Sequence, residues 1–309
     1  MSSLPFGMAL VAFTLYSIHD LLIKQLSQSV SVIQIVFLST LFTFPMISVW
    51  LVSRRELTTL RPTNLKAVLF RSVSMVIIML SVFFAFQRLP MAQVYSLLFV
   101  APLVITALSG SILKERVDVF SWAAIVVGFV GVLVVLRPNV GVVDIGHIAA
   151  IGAAVLNALN AIVVRKIGGT ERSVILVLYP LFIVLLVTTA LLPAVFVPVD
   201  LHQILISALI AILALISAVL VIHAYRRGRA QVIAPMQYSQ IIWGCVFGYL
   251  FFDEVPDRYT LFGTLIIIAA GGFIVTRRDP GSVVEDEISR PISQFFRLGF
   301  TGALKKQRI

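Results

Sequence analysis

The chain of 309 residues is 60% hydrophobic and only 12% charged, and its net charge is +10. A soluble domain carries about 45–50% apolar and about 25% charged residues, and it could not hide this much apolar surface. The composition therefore excludes an ordinary soluble protein and predicts an integral membrane protein.

Charged residues divide the chain into ten long stretches that contain few or no charges. Most stretches reach the roughly 20 residues that a helix needs to cross a hydrocarbon core about 30 Å thick. The period-two alternation of a membrane β-barrel is not seen, for example in 204–221, so transmembrane helices are predicted. The predicted spans are 1–19, 31–53, 72–87, 89–113, 119–136, 145–164, 173–199, 201–225, 230–252 and 259–276. The first is interpreted as a retained helix rather than a signal peptide, because no basic residue precedes it.

Lys and Arg residues are concentrated in alternate loops. The loops after the second, fourth, sixth and eighth helices hold twelve of them, whereas the other five loops hold only Lys24, Arg88, Arg137 and Arg258. Positive residues in short loops stay in the cytoplasm, so both termini are predicted to be cytoplasmic in a bacterial-type inner membrane. The positive charge is thereby explained by topology, and no nucleic-acid partner is expected.

Residues 277–309 form a basic tail after the last predicted helix. Its apolar residues recur at helical spacing, which is typical of an amphipathic helix on anionic membrane lipid. The alternative is a disordered tail, which the acidic run 285–287 and two prolines favour. The apolar residues are Ile292, Phe295, Phe296, Phe300 and Leu304.

The two halves of the chain share a pattern of spacing. Glu115 is followed by Gly131 at sixteen residues, and Glu254 is followed by Ala270 at the same distance. Each half then holds five helices, and an odd number reverses the orientation of the second copy. The predicted fold is all-α, with ten transmembrane helices as two inverted five-helix repeats over 1–137 and 138–276.

The same alignment matches Lys24 with Arg165. It pairs Tyr16 and His19 of the first helix with Asn157 and Asn160 of the sixth. Inverted repeats hold a transported solute near the midplane, between the two halves. These four residues are therefore predicted to contact substrate, and interhelical hydrogen bonding is the alternative.

The first half carries the clearer copy of a family motif, in Ala92, Pro102, Glu115 and Gly131, and the second half keeps Glu254 and Gly263. Over residues 5–276 the chain resembles the EamA-like branch of the drug/metabolite transporter superfamily. The resemblance implies a ten-helix transporter of small metabolites. Several members export amino acids, including the aromatic type called YddG, and others move riboflavin, adenosylmethionine or purines.

Ionisable side chains inside the bilayer are costly, so each is a candidate for function. Asp20 and His19 lie late in the first helix. Asp20 is predicted either to pair with Lys24 four residues away or to contact a proton or an amine during transport. His19 either binds substrate or makes an interhelical hydrogen bond.

Aromatic and polar residues near two prolines complete the predicted site. Pro102 and Pro235 are predicted to kink their helices and so to serve gating. An aromatic lining suits a flat or amphipathic solute. The candidate contacts in these two helices are Tyr95, Phe99, Gln237, Tyr238 and Trp243.

The sequence favours a transporter over an enzyme or a channel. It contains no zinc-binding H-E-x-x-H pair, no serine nucleophile elbow and no nucleotide-binding P-loop. We therefore expect no cofactor, a small-molecule substrate, contact with membrane lipid, and a monomer or weak homo-oligomer. The family resemblance implies that the function is amino-acid export by alternating access. Transport of another metabolite, a lipid-headgroup flippase and an accessory subunit are the alternatives.

Overall fold

The computed structural model describes residues 4–53, 60–112, 117–137, 143–167, 170–227 and 233–277. All regular structure within these ranges is helical, and two short 3-10 segments, Leu192–Ala194 and Ala234–Tyr238, interrupt it. In chain order the helices are α1 Leu4–Leu26, α2 Val32–Ser53, α3 Leu65–Arg88, α4 Met91–Leu98, α5 Ala101–Ile112, α6 Val119–Leu136, α7 Ile145–Ile167, α8 Ser173–Leu191, α9 Leu201–Arg227, α10 Ser239–Phe252 and α11 Arg258–Arg277.

Eight segments are long and apolar enough to cross a bilayer, and α4 and α5 together form one of them. The other two predicted crossings are shorter: α10 has 14 residues, and α11 has its apolar part over Arg258–Ile274. The prediction of an all-helical membrane protein is confirmed. The count of ten crossings and the opposite orientation of the halves stay predictions, and the tail and Glu115 lie outside the described residues.

The predicted fourth span is broken into two helices. Phe99 and Val100 form a turn between α4 and α5. Pro102 has no N–H to donate to the carbonyl of Leu98, so one helical hydrogen bond is missing at this point. In the ninth span, Pro235 lies at the start of the 3-10 segment Ala234–Tyr238. Both prolines therefore stand at interruptions next to candidate site residues.

A proline in α8 is compensated by a basic residue of α3. Pro180 leaves the carbonyl of Leu176 without its helical donor. The Nε–H of Arg71 donates to that carbonyl at 3.1 Å. Arg71, which the sequence analysis assigned to no site, thus stabilises the contact between the two helices.

Helices from the two predicted halves pack against each other. α1 packs along α9, α3 along α7 and α8, and α6 along α11. The contact between α6 and α11 is closest at Gly131 and Gly263, where a Cβ on either glycine would lie 2.9 or 2.6 Å from the other's carbonyl oxygen. Only residues without side chains allow two backbones to approach this closely.

Substitution of Gly263 by alanine tests this close contact. Gly263→Ala is expected to destabilise the protein by about 1–3 kcal/mol, because the new methyl group meets backbone that cannot give way. Thermal unfolding in detergent is the measurement. Gly272→Ala, on the same helix with nothing within 4 Å of its added Cβ, is the control and should be neutral. An equal loss in both variants would contradict the role given to Gly263.

Candidate functional site

Asp20 is a carboxylate inside α1 that faces the interior of the bundle. It lies nine residues, about 2.5 helical turns, from Val11, which is 53% exposed. Its Oδ1 lies 2.8 Å from Nδ1 of His19, and its Oδ2 accepts a hydrogen bond from the Tyr95 hydroxyl at 2.7 Å. The side chains of His19 and Asp20 are 13% and 15% exposed. Asp20 therefore links α1 to α4 and stays partly accessible.

Aromatic rings surround this carboxylate. The Tyr95 ring meets the edge of Phe86 at a centroid distance of 5.5 Å and stacks on Phe99 at 6.3 Å. Phe99 in turn meets the edge of Tyr238 at 5.1 Å. The rings thus form a continuous chain from Asp20 in the first half to Tyr238 in the second. We call Tyr16, Phe83, Phe86, Tyr95, Phe99 and Tyr238 the aromatic cluster.

The ring of His19 belongs to the same surroundings. It makes edge contacts with Tyr16 at 6.3 Å and with Phe83 at 6.4 Å. The structure therefore brings together five of the predicted substrate contacts around Asp20, and it adds Phe83 and Phe86, which were not predicted. The five are Tyr16, His19, Tyr95, Phe99 and Tyr238.

Two glycines make room for the tyrosines of the cluster. A Cβ on Gly244 of α10 would lie 2.7 Å from Cδ2 of Tyr95, and a Cβ on Gly271 of α11 would meet the hydroxyl of Tyr238. Each ring therefore lies directly on the backbone of a neighbouring helix. The two tyrosines are held in place by these flat surfaces.

The two predicted asparagines of α7 have different surroundings. Asn157 is exposed, yet it lies nine residues from Ile148, which is 63% exposed, and so faces the opposite side of the helix. Asn160 is 3% exposed, and its Oδ1 has no hydrogen-bond partner. An unpaired buried acceptor costs about 1–3 kcal/mol.

Gln237 and Trp243 are not shown to join the aromatic cluster. Gln237 is exposed at the end of the 3-10 segment. The Trp243 ring stacks on Phe247 of its own helix at 5.2 Å. A role for these two side chains in substrate binding stays a prediction. Among the described residues, no three His, Cys, Asp or Glu side chains gather closely enough to hold a metal ion.

A buried ion pair closes the bundle on one side of the site. Nζ of Lys24 lies 2.6 Å from Oε1 of Glu254 and donates to the carbonyl of Leu89, also at 2.6 Å. The other carboxylate oxygen, Oε2, accepts the N–H of Met91 at 3.0 Å. Glu254 therefore ties together the ends of α1, α3 and α10 and the start of α4. The alternative pairing of Lys24 with Asp20 is replaced by this long-range pair.

Two further ion pairs lie at the same end of the bundle, which we call the outer face after the predicted topology. Arg88 pairs with Asp144 at 2.9 Å, and Arg137 pairs with Asp257. Each of the three pairs joins a residue before position 138 to one after it. Three of the four cations in the predicted outer loops are thus neutralised by the other half of the chain.

The Arg88 pair is exposed and persists in mild acid. The hydrogen bond from Arg88 lowers the pKa of Asp144 below its ordinary value. Because this folded-state pKa is depressed, the contribution to stability is present above the unfolded pKa and is lost as the pH falls through the folded pKa. The link between α3 and the start of α7 therefore survives until the medium becomes strongly acidic.

Comparisons with known proteins identify the class of protein. The sequence pattern of the EamA-like transporter family matches residues 4–137 and again residues 144–276. The protein is an integral membrane transporter, and the chain belongs to the EamA-like transporter family. A crystal structure with 15% sequence identity superposes with a TM-score of 0.59 over 90% of this chain and 97% of its own, which supports the fold.

Curated relatives of the chain are named transporters of different solutes. The pseudopaline exporter of Pseudomonas aeruginosa is 23% identical over 85% of this chain and 93% of its own length. The S-adenosylmethionine uptake transporter of Rickettsia bellii is 24% identical over 57% of this chain and 61% of its own. The riboflavin transporter of Vibrio cholerae is 25% identical over 60% and 62%. The relatives therefore agree on transport and differ in solute and direction.

Removal of one partner from the Lys24 pair should destabilise the protein strongly. Lys24→Met or Glu254→Gln alone is expected to cost about 3 kcal/mol, because a buried charge or polar group loses its partner. The double variant should cost less than the sum of the two. Unfolding free energies in detergent, combined in a double-mutant cycle, measure this coupling.

The exposed Arg88–Asp144 pair is the matched control for that cycle. Arg88→Met and Asp144→Asn are each expected to change stability by less than about 1 kcal/mol. If the Lys24 cycle showed no coupling, or no more than the Arg88 cycle, the buried pair would not hold the outer face closed.

Proposed function

We propose that the protein exports a small metabolite by alternating access, and that the solute is an amino acid, with aromatic side chains preferred. The observation that carries this proposal is the aromatic cluster around Asp20. It joins α1 and α4 of the predicted first half to Tyr238 of the second. Transporters built from repeats bind their solutes at such an interface, near the midplane.

Closure of the outer face supports the alternating-access part of the proposal. The start of α4 is buried at Met91, Ala92, Val94 and Tyr95. Asn157, in contrast, is exposed on the side of α7 that faces away from Ile148, at a position nearer to the predicted cytoplasmic end. We propose on this basis that the site opens toward the cytoplasm, where an exporter collects its solute.

A second set of solutes is also compatible with the aromatic cluster. Riboflavin, purines and adenosylmethionine all carry a flat ring system, which suits aromatic surroundings. Two of these solutes appear in the names of relatives, an S-adenosylmethionine uptake transporter and a riboflavin transporter. The direct test must therefore include them.

Transport assays with the purified protein in liposomes test the proposal. We expect saturable uptake of radiolabelled phenylalanine or tyrosine, and faster uptake of these than of leucine. The same panel contains riboflavin, adenine and adenosylmethionine, and each assay is run with and without a pH gradient. Empty liposomes are the control. Uptake of none of these solutes would overturn the proposal and favour a lipid flippase or an accessory subunit.

Removal of the rings should reduce transport of an aromatic solute. Phe99→Ala and Tyr238→Ala are each expected to lower the rate at subsaturating solute about tenfold, which corresponds to about 1.4 kcal/mol of lost ring contact. Uptake is measured under the conditions of the first assay. Phe262→Ala, which removes a ring that is 62% exposed, is the control and should transport normally. Equal rates in all variants would exclude the aromatic cluster as the binding site.

A further inference from the structure

A single carboxylate stands in the interior of the described helices. Asp20 is the only Asp or Glu that lies within a helix in the part of the chain that the structure describes. A charged group within a membrane-spanning helix is costly. Retention of such a charge calls for a partner that offsets the cost.

In the part of the chain that the structure describes, no Lys or Arg side chain contacts Asp20, and its one basic neighbour is the ring of His19 on the same helix. The described contacts of its carboxylate are the Tyr95 hydroxyl and the His19 ring. Lys24 lies one turn further along α1, but its ammonium group is engaged by Glu254 and by the carbonyl of Leu89. Arg71 is engaged by the carbonyl of Leu176. A cationic ligand would therefore offset the negative charge of Asp20.

The surroundings of Asp20 suit a cationic ligand in particular. The faces of tyrosine and phenylalanine rings attract cations within about 6 Å of the ring centroid. Tyr95 binds the carboxylate directly, and Phe99 stacks on Tyr95. The site thus combines one negative charge with aromatic surroundings.

The charge is also asymmetric between the halves. In the predicted repeat alignment, Ala161 occupies the position that corresponds to Asp20. The second half therefore contributes no equivalent acid, and the interior holds one site for one positive charge. At the outer face, in contrast, the acids and bases of the three ion pairs neutralise each other.

We infer that Asp20 binds a positively charged amine of the transported solute, with the rest of the solute against the aromatic cluster. This inference rests on the proposed transport function and narrows its substrate class. The ammonium group would replace the Tyr95 hydroxyl at Oδ2 or lie beside it. Solutes that carry the same ring without a cationic nitrogen are rejected, because they leave the carboxylate unbalanced.

Four solutes that share a phenyl ring test whether the protein recognises the positive charge of the solute or only its ring. Phenylalanine and phenethylamine carry an ammonium group, whereas N-acetylphenylalanine and 3-phenylpropionate do not. In liposomes, the wild-type protein is expected to transport the two amines at least tenfold faster than the other two. Asp20→Asn should abolish this preference and lower amine transport at least tenfold. Asp200→Asn, which alters an exposed acid at the start of α9, is the control and should keep both properties.

The wild-type comparison decides the inference even if Asp20→Asn fails to fold. Wild-type transport of N-acetylphenylalanine, 3-phenylpropionate or riboflavin at the rate of the amines would overturn amine recognition and leave transport standing. Unchanged amine transport by folded Asp20→Asn would do the same. Transport of no solute by the wild-type protein would overturn both the proposed function and this inference.

Discussion

The ion pair between Lys24 and Glu254 is the contact on which the arrangement of the outer face depends. Burying both charges costs several kcal/mol for each ion, and close geometry with further hydrogen bonds must offset that cost. Glu254 meets this condition because its second oxygen accepts the N–H of Met91 at 3.0 Å. The first N–H groups of a helix lack helical acceptors and carry partial positive charge. One carboxylate therefore neutralises Lys24 and caps α4.

Two acidic side chains bind α4 at positions one helical turn apart and so fix its position. Glu254 binds the backbone of Met91, and Asp20 accepts from the hydroxyl of Tyr95, four residues later. Gly244 and Gly248 of α10 are spaced by the same four residues. The first accommodates the ring of Tyr95, and the second lies against the carboxylate of Glu254. Gly244 and Gly248 therefore make room for Tyr95 and Glu254, the two side chains that hold α4.

The sequence predicted the helices better than the contacts between them. Long apolar stretches identify membrane helices because lipid forces every backbone group into helical hydrogen bonds. The partner of Lys24 was not predictable in this way, since the i,i+4 rule considers only neighbours on the same helix and offers Asp20. Glu254 becomes the partner only when α10 packs beside α1 and α4. Phe83 and Phe86 were missed for the same reason, because in an apolar helix no periodic signal separates rings near a site from rings in lipid.

Helical geometry also explains why some candidate residues have different surroundings from their neighbours. Asn157 and Asn160 are three residues apart and so differ by about 60° around the helix axis. That angle is enough to leave one side chain exposed and the other buried. Gln237 lies in a 3-10 segment, which has about three residues per turn, so the direction of its side chain does not follow the α-helical period. Pro235, at the start of that segment, shifts the register of the residues that follow.

The charges of the protein fall into two groups with different consequences for transport. Those at the outer face are satisfied within the chain, and their pairs join the two halves. Among the described residues Asp20 is satisfied by Tyr95 and His19, and the bond to Tyr95 holds α4 beside α1. A cation bound at Asp20 as inferred above would compete with the Tyr95 hydroxyl for Oδ2 and so weaken one of the two bonds that hold α4. The other bond, from the N–H of Met91 to Glu254, lies one turn away, which places the inferred site next to the ion pairs of the outer face.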